Sequence, residues 1–268
     1  MNKILGFGAV IIMIVAMVYV VVSEQPETSE IQVENQVTKK NTTSKSSAAI
    51  EKKISSKKNS APLPKVQPTD WSLILVGPEH PLEHEINESA QLVSLPNGYL
   101  IDKRVQSDYK DFATAAEKAG FPLVMVSAYR SVSSQQEVFA QNVQEVMSTQ
   151  QVSKEQATAI TKQTITIPGY SEHHTGLAVD VVDEAWYNNY PSQLLDASYG
   201  EQPGAKWLAE NAPKYGFIIR YPKNRQDITK ITYEPWHLRY VGKESAAYIM
   251  KQGITLEEYL DRLKKKQE

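Results

Sequence analysis

Ser171-Glu172-His173-His174-Thr175-Gly176-Leu177-Ala178-Val179-Asp180, together with Glu234-Pro235-Trp236-His237 about sixty residues later, holds the side chains of this sequence best suited to chemistry. Two imidazoles and one carboxylate bind zinc while leaving a coordination position for water, and a second carboxylate beside the last histidine can take that water's proton. Such a set describes a metallohydrolase. No HExxH pattern is present, which excludes the helical zinc-protease arrangement. The chain has no cysteine, so disulfides, thiolate zinc sites and a lipid-modified cysteine anchor are excluded as well.

The two motifs impose demands on the backbone. Alternation sends Leu177, Val179 and Val181 to one face of a strand, suited to the core, and Ala178, Asp180 and Val182 to the other. Ala178 is small enough to leave room for an ion and a substrate. His173 is expected at a strand entry or loop, with Gly176 turning the chain so that it approaches Asp180. Glu234 and His237 are three residues apart, which on a plain strand places them on opposite faces, so a bulge or bend is required if both line one site. Pro235 holds its predecessor Glu234 extended. Taken singly, His173 reads as a satisfied surface histidine, Asp180 as a turn aspartate and Glu234 as a solvated acid. Trp236 reads as a core or site-wall aromatic, His174 as a solvent-facing bystander, and His80 and His84, separated by Pro81, as surface loop residues.

The elements that must hold these residues follow from patterning. A helix is expected from about Ser107 to Lys118, with Ser107 as N-cap, Tyr109, Phe112, Ala113 and Ala116 buried and Gly120 as its stop. Pro122 to Ser127 reads as a buried strand, Ser133 to Met147 as a second helix, and Ser153 to Gln156 as a capping box opening a third. A helix near Ala205 to Lys214 is trimmed by Pro213. Phe217 to Arg220 and Glu234 to Tyr240 read as strands, and Thr255 to Glu258 caps a closing helix. Helices first and strands crowding the second half imply an α+β fold, a mostly antiparallel sheet with flanking helices and the zinc site on the sheet.

Ahead of this domain the composition changes twice. Of the 268 residues, 41% are hydrophobic, but residues 4–22 form a run without charge, about 28 Å long as a helix. This is expected to be a transmembrane anchor or uncleaved signal, with residues 1–3 cytoplasmic; a cleaved signal peptide is the rival, since Val21-Val22-Ser23 is a plausible cleavage site. Both readings put the domain outside the cell, the first as a single-pass protein of the cell membrane. Residues 23–68 lack aromatics and carry Ser, Thr, Lys, Glu, Gln and Asn, the composition of a disordered linker. The domain is then expected over residues 69–268. Net charge of −2 argues against nucleic acid as a partner, and a monomer is the default.

The two motifs, with His237-Leu238-Arg239-Tyr240-Val241-Gly242, Ser127-Ala128-Tyr129-Arg130-Ser131, Gln136, Pro168-Gly169-Tyr170 and Tyr215-Gly216-Phe217-Ile218-Ile219-Arg220-Tyr221-Pro222, span about residues 70 to 242. In this order they resemble the VanY-type D-alanyl-D-alanine carboxypeptidases and the related L,D-carboxypeptidases of Gram-positive walls, zinc peptidases with S-x-H-x-x-G-x-A-x-D followed by E-P-W-H. Ala128 departs from the glycine common there. The resemblance implies one zinc per domain held by His173, Asp180 and His237. It implies Glu234 as general base and Arg130 as a group that binds substrate and stabilises an oxyanion. Ser171, Gln136, Tyr129 and Trp236 are the implied further contacts to a peptidoglycan stem peptide. The implied activity is removal of the C-terminal D-alanine, by D,D- or L,D-cleavage, on the wall side of the membrane. An endopeptidase, or a wall-binding module of the same fold without turnover, are the alternatives.

Overall fold

Ala178-Val179-Asp180-Val181-Val182-Asp183 is buried along its whole length, as only a strand covered on both faces can be. The computed structural model describes residues 62–267; the expected anchor at 4–22 and the expected linker as far as residue 61 lie outside them. Among the described residues no helix is long and apolar enough to cross a membrane.

In chain order the elements are α1 (Glu88–Gln91), β1 (Leu92–Ser94), β2 (Leu100–Asp102), α2 (Gln106–Lys118), β3 (Leu123–Ser127), α3 (Val132–Gln150), α4 (Lys154–Thr161), β4 (Ala178–Asp183), α5 (Glu184–Asn189), α6 (Pro203–Asn211), β5 (Phe217–Tyr221), α7 (Gln226–Thr229), β6 (Glu234–Tyr240), α8 (Lys243–Gln252) and α9 (Leu256–Lys265). Strands β1 and β2 form a small hairpin; the main sheet runs β3-β4-β6-β5, every neighbour antiparallel. The fold is α+β with helices flanking an antiparallel sheet, in line with the sequence pattern.

Local signals account for most boundaries. Ser131 caps α3 by accepting from the Ser134 N–H, and Ser153 and Thr255 open α4 and α9 with reciprocal capping boxes. Helix α2 differs from expectation at its start: it begins at Gln106, and its N-cap is Val105, with no side-chain cap. Its buried face, Tyr109, Phe112 and Ala116, is as patterned. Helix α6 ends at Asn211 and continues as a tight turn of 3-10 helix, Ala212–Tyr215, because Pro213 cannot donate to the helical ladder.

Both sheet faces are covered. Phe217, Ile219, Val179, Val181 and Leu238 join Phe112 and Leu208 in the larger core, whereas Ile218, between two of them, joins Val241, Ile249, Tyr259 and Leu263 under α8 and α9. This is period-two alternation. Leu63 and Val66, which composition assigns to the linker, pack against this second cluster. The face opposite Val179 and Val181 is the one that carries Asp180.

Candidate metal centre

Asp180 on β4 and His237 on β6 are direct cross-strand partners. Paired residues project to the same side of a sheet, and the Asp180 Oδ1 to His237 Nδ1 distance is 3.0 Å. His173 arrives from off the strand, on a 3-10 turn (Glu172–Thr175) that Ser171 caps by accepting the His173 N–H and that Gly176 closes at φ 68°. Its Nε2 lies 3.2 Å from Asp180 Oδ2, and the two imidazole rings meet edge to face at 5.0 Å. One donor atom from each of His173, Asp180 and His237 lies within 4.8 Å of the others, and all three residues are buried. Three donors at about 2.0–2.2 Å from one tetrahedral zinc ion sit roughly 3.3–3.6 Å apart, so the set fits that ion.

The outer nitrogens are committed. His173 Nδ1 donates to the Ala128 carbonyl at 2.7 Å, which leaves Nε2 to face the cluster; burial then lowers the pKa of this imidazole. His237 presents Nε2 to Glu172 Oε2 at 3.3 Å and Nδ1 to Asp180. Burial disfavours a cation on His237, but its hydrogen bonds to Asp180 and Glu172 outweigh this and push it up to about 10. Asp180 is the complement: burial would raise it, and His173 and His237 outweigh burial and hold it well below the carboxylate range. Positive charge is therefore favoured where the three donors meet.

Glu234 reaches the same face by the bulge that its spacing demands. Ile219 pairs with Leu238 and Tyr221 with Glu234, so two steps along β5 match four along β6. Its Oε2 stands 3.7 Å from His237 Nδ1. Burial, with Asp180 and Glu172 nearby, pushes its carboxyl up to about 8. A buried carboxylate of raised pKa beside a set of metal donors is suited to accept a proton near neutral pH.

Arg130 lies between β3 and α3, its N–H donating to the His173 carbonyl at 3.2 Å. Its guanidinium donates to Gln135 Oε1 at 2.7 Å and to Ser127 Oγ at 2.8 Å, and Ser127 is the cross-strand partner of Asp180. Burial lowers its pKa, opposed by the charges of Asp180 and Glu234, which places Arg130 in the same electrostatic neighbourhood. Of the other sequence candidates, Ser171 is buried as the cap of the His173 turn and Tyr129 donates to Glu88 at 2.6 Å. Trp236 is half-buried against the larger core. Gln136 is exposed on α3, and it is the preceding residue, Gln135, that is buried against Arg130.

His174 is corrected outright. It is buried, its Nδ1 donating to the Arg130 carbonyl at 2.7 Å while Nε2 accepts the Gly169 N–H at 3.1 Å. His173 and His174 thus grip the Arg130 backbone from the carbonyl of one and the ring of the other. Sequence reasoning also missed Glu172 and Tyr99. Glu172 is completely buried, and Tyr99, whose hydroxyl donates to the Val126 carbonyl at 2.9 Å, is raised by burial and then by Tyr187 and Asp180. The available signal for Glu172 was Arg220, the one charged residue of the otherwise apolar strand Phe217–Tyr221, a buried cation that needs an acid.

Residues 98–243, more than half of the chain, match the family model VanY, D-alanyl-D-alanine carboxypeptidase. The putative carboxypeptidase YodJ of Bacillus subtilis is 43% identical over 62% of this chain, which spans 55% of that protein's length. Two solved structures share 36% identity and a TM-score of 0.62. One is a variant of the vancomycin resistance D,D-pentapeptidase VanY in complex with Zn(II), matched over 71% of this chain and 99% of that one. The other is VanYB in complex with D-alanine-D-alanine, matched over 72% and 98%. A match to this family model over more than half of the chain, with this fold and this convergence of His173, Asp180, His237 and Glu234 beneath it, makes the chain a member of the VanY family of D-alanyl-D-alanine carboxypeptidases.

Proposed function

We propose that the chain is a zinc carboxypeptidase that removes the terminal D-alanine from peptidoglycan stem peptides. The observation that carries this is the meeting of His173, Asp180 and His237 donors within 4.8 Å, with Glu234 3.7 Å from His237 Nδ1. His173 Nε2, His237 Nδ1 and an Asp180 oxygen would hold the ion. When bound, zinc supplies Lewis acidity toward the scissile carbonyl and lowers the pKa of water at its open position. Glu234 takes a proton from the attacking water and delivers it to the departing amine as the C–N bond breaks. Arg130, fixed by Gln135 and Ser127, pairs with the substrate's free carboxylate or the developing oxyanion. The D-alanine-D-alanine bound by VanYB supports cleavage between two D-residues.

The apolar run at 4–22 supports an anchored arrangement with this domain on the wall side. Protease treatment of intact protoplasts checks it by whether the domain is shed.

Purified full-length chain should release free D-alanine from a pentapeptide ending in D-alanyl-D-alanine, faster than from the tetrapeptide lacking the last residue. A chelator should stop release and zinc restore it. Glu234→Gln should lower turnover by roughly 10²–10⁴-fold while zinc stays bound. Undiminished turnover in that variant, or cleavage only within the stem, overturns the reading.

A further inference from the structure

Imidazole binds a metal only through a nitrogen that carries no proton, so the partner of one ring nitrogen decides whether the other can serve. For His173 that partner is a backbone carbonyl. For His237 it is Glu172, one residue before the first histidine of the cluster.

Glu172 is held in a single role. Its Oε1 accepts from Arg220 Nε at 2.7 Å and from an Arg239 terminal nitrogen at 2.6 Å, and guanidinium groups only donate. All three side chains are inaccessible to solvent. Two guanidiniums paired to one buried carboxylate favour its ionised form, so Oε2 meets His237 Nε2 as an acceptor. The arginines are anchored in turn. Arg220 makes two bonds to Glu257 on α9, at 3.0 and 2.7 Å, and Arg239 donates to the carbonyls of Ser72 and Ile74 at 3.1 and 2.5 Å. Both anchors lie outside the stretch matched by the family model, residues 98–243.

We propose that Glu172 is a positioning residue that holds His237 with its proton on Nε2 and so presents Nδ1 to the metal. Arg220 and Arg239 fix the carboxylate that does so. One short turn thereby supplies a metal donor, His173, and orients another, His237. The inference rests on the metal reading of the site.

Glu172→Gln is an isosteric test that inverts the device. The amide oxygen satisfies the arginines, and the amide NH2 then faces His237 Nε2, favouring a bare Nε2 and a protonated Nδ1. In the full-length chain, zinc affinity measured by competition with a chromophoric chelator should fall 10–100-fold. Glu257→Gln should lower the melting temperature and leave zinc affinity within threefold, because Glu172 keeps both arginines. Should Glu172→Gln not fold, 15N-histidine spectra of the zinc-loaded wild type decide: His237 should carry its proton on Nε2. A proton on Nδ1, unchanged affinity in Glu172→Gln, or equal losses in both variants overturns the proposal. A wild type that takes up no zinc overturns the metal reading itself, and this inference with it.

Discussion

Asp180 and His237 face each other across β4 and β6, 3.0 Å apart, so two of the three candidate metal donors are set by sheet register. Asp180 and Glu172 push the His237 pKa up to about 10 against the cost of burial, which favours a proton on Nδ1 as well as on Nε2 when no ion is bound. Zinc must displace the Nδ1 proton. Apparent zinc affinity is expected to rise about tenfold per pH unit between pH 6 and 9, with at least one proton released per ion. Calorimetry in buffers of different ionisation enthalpy measures that proton directly. Affinity flat with pH would mean that His237 is not a donor.

The same groups set the pH response of the chelated chain. A histidine whose folded pKa is raised from 6.5 to about 10 contributes stability that is full below 6.5 and lost as pH rises through 10. Glu234, raised from 4.5 to about 8 by burial, acts in the same direction over its own window. His173 and His174, lowered by burial, act the opposite way up to about pH 7, so the melting temperature of chelator-treated protein should decline from about pH 7 to 10. Zinc-loaded protein should lose less, since the ion replaces the proton on His237 and draws Glu234 toward its ionised form. A chelated chain that gains stability over this range would contradict the charge assignment.

Gln135 and Gln136 provide an internal comparison on α3. Gln135 receives Arg130 at 2.7 Å and donates to the Thr166 carbonyl at 2.6 Å, whereas Gln136 is exposed. Gln135→Ala should free the guanidinium and lower kcat/KM by roughly 10-fold or more, as positional errors near reacting groups do. Gln136→Ala should stay within twofold. Steady-state kinetics on the pentapeptide reads both, and equal effects would detach Arg130 from substrate.

Much of this was legible in the sequence because it is local or periodic. The capping boxes at Ser153 and Thr255 and the apolar stripe of α2 speak through neighbours three or four residues away. The need for a bulge between Glu234 and His237 followed from spacing alone. What was illegible depends on partners distant along the chain. His174 looks like a solvated histidine until Arg130 and Gly169, on separate loops, close around it. Glu172 looks like a surface acid until two arginines from different strands reach it. Gln135 and Gln136 differ only in which helix face meets Arg130, a choice that needs the helix's rotation and not its composition. Helix α8 was missed because Gly242, with no capping side chain, precedes it.

Gly176 separates the His173 turn from β4, and its backbone is the most constrained point of the site. Its φ is 68°, and a Cβ there would stand 2.8 Å from Leu92 Cδ2 and 3.0 Å from the Asp102 backbone nitrogen. Asp102 cannot retreat, because its N–H donates to the Gly176 carbonyl at 2.9 Å. Gly176→Ala therefore carries both a left-handed backbone penalty and overpacking, together about 2–4 kcal/mol. Gly98 is the control: its φ is 84°, but nothing lies within 4 Å of the Cβ position, so Gly98→Ala carries only the backbone penalty, about 1–2 kcal/mol. Thermal unfolding should rank Gly176→Ala below Gly98→Ala by several degrees. Zinc affinity should fall only in Gly176→Ala, because the shift needed to relieve the clash moves His173 away from Asp180. Equal destabilisation with unaltered zinc binding in both would show that the His173 turn tolerates displacement and that the donor geometry is set elsewhere.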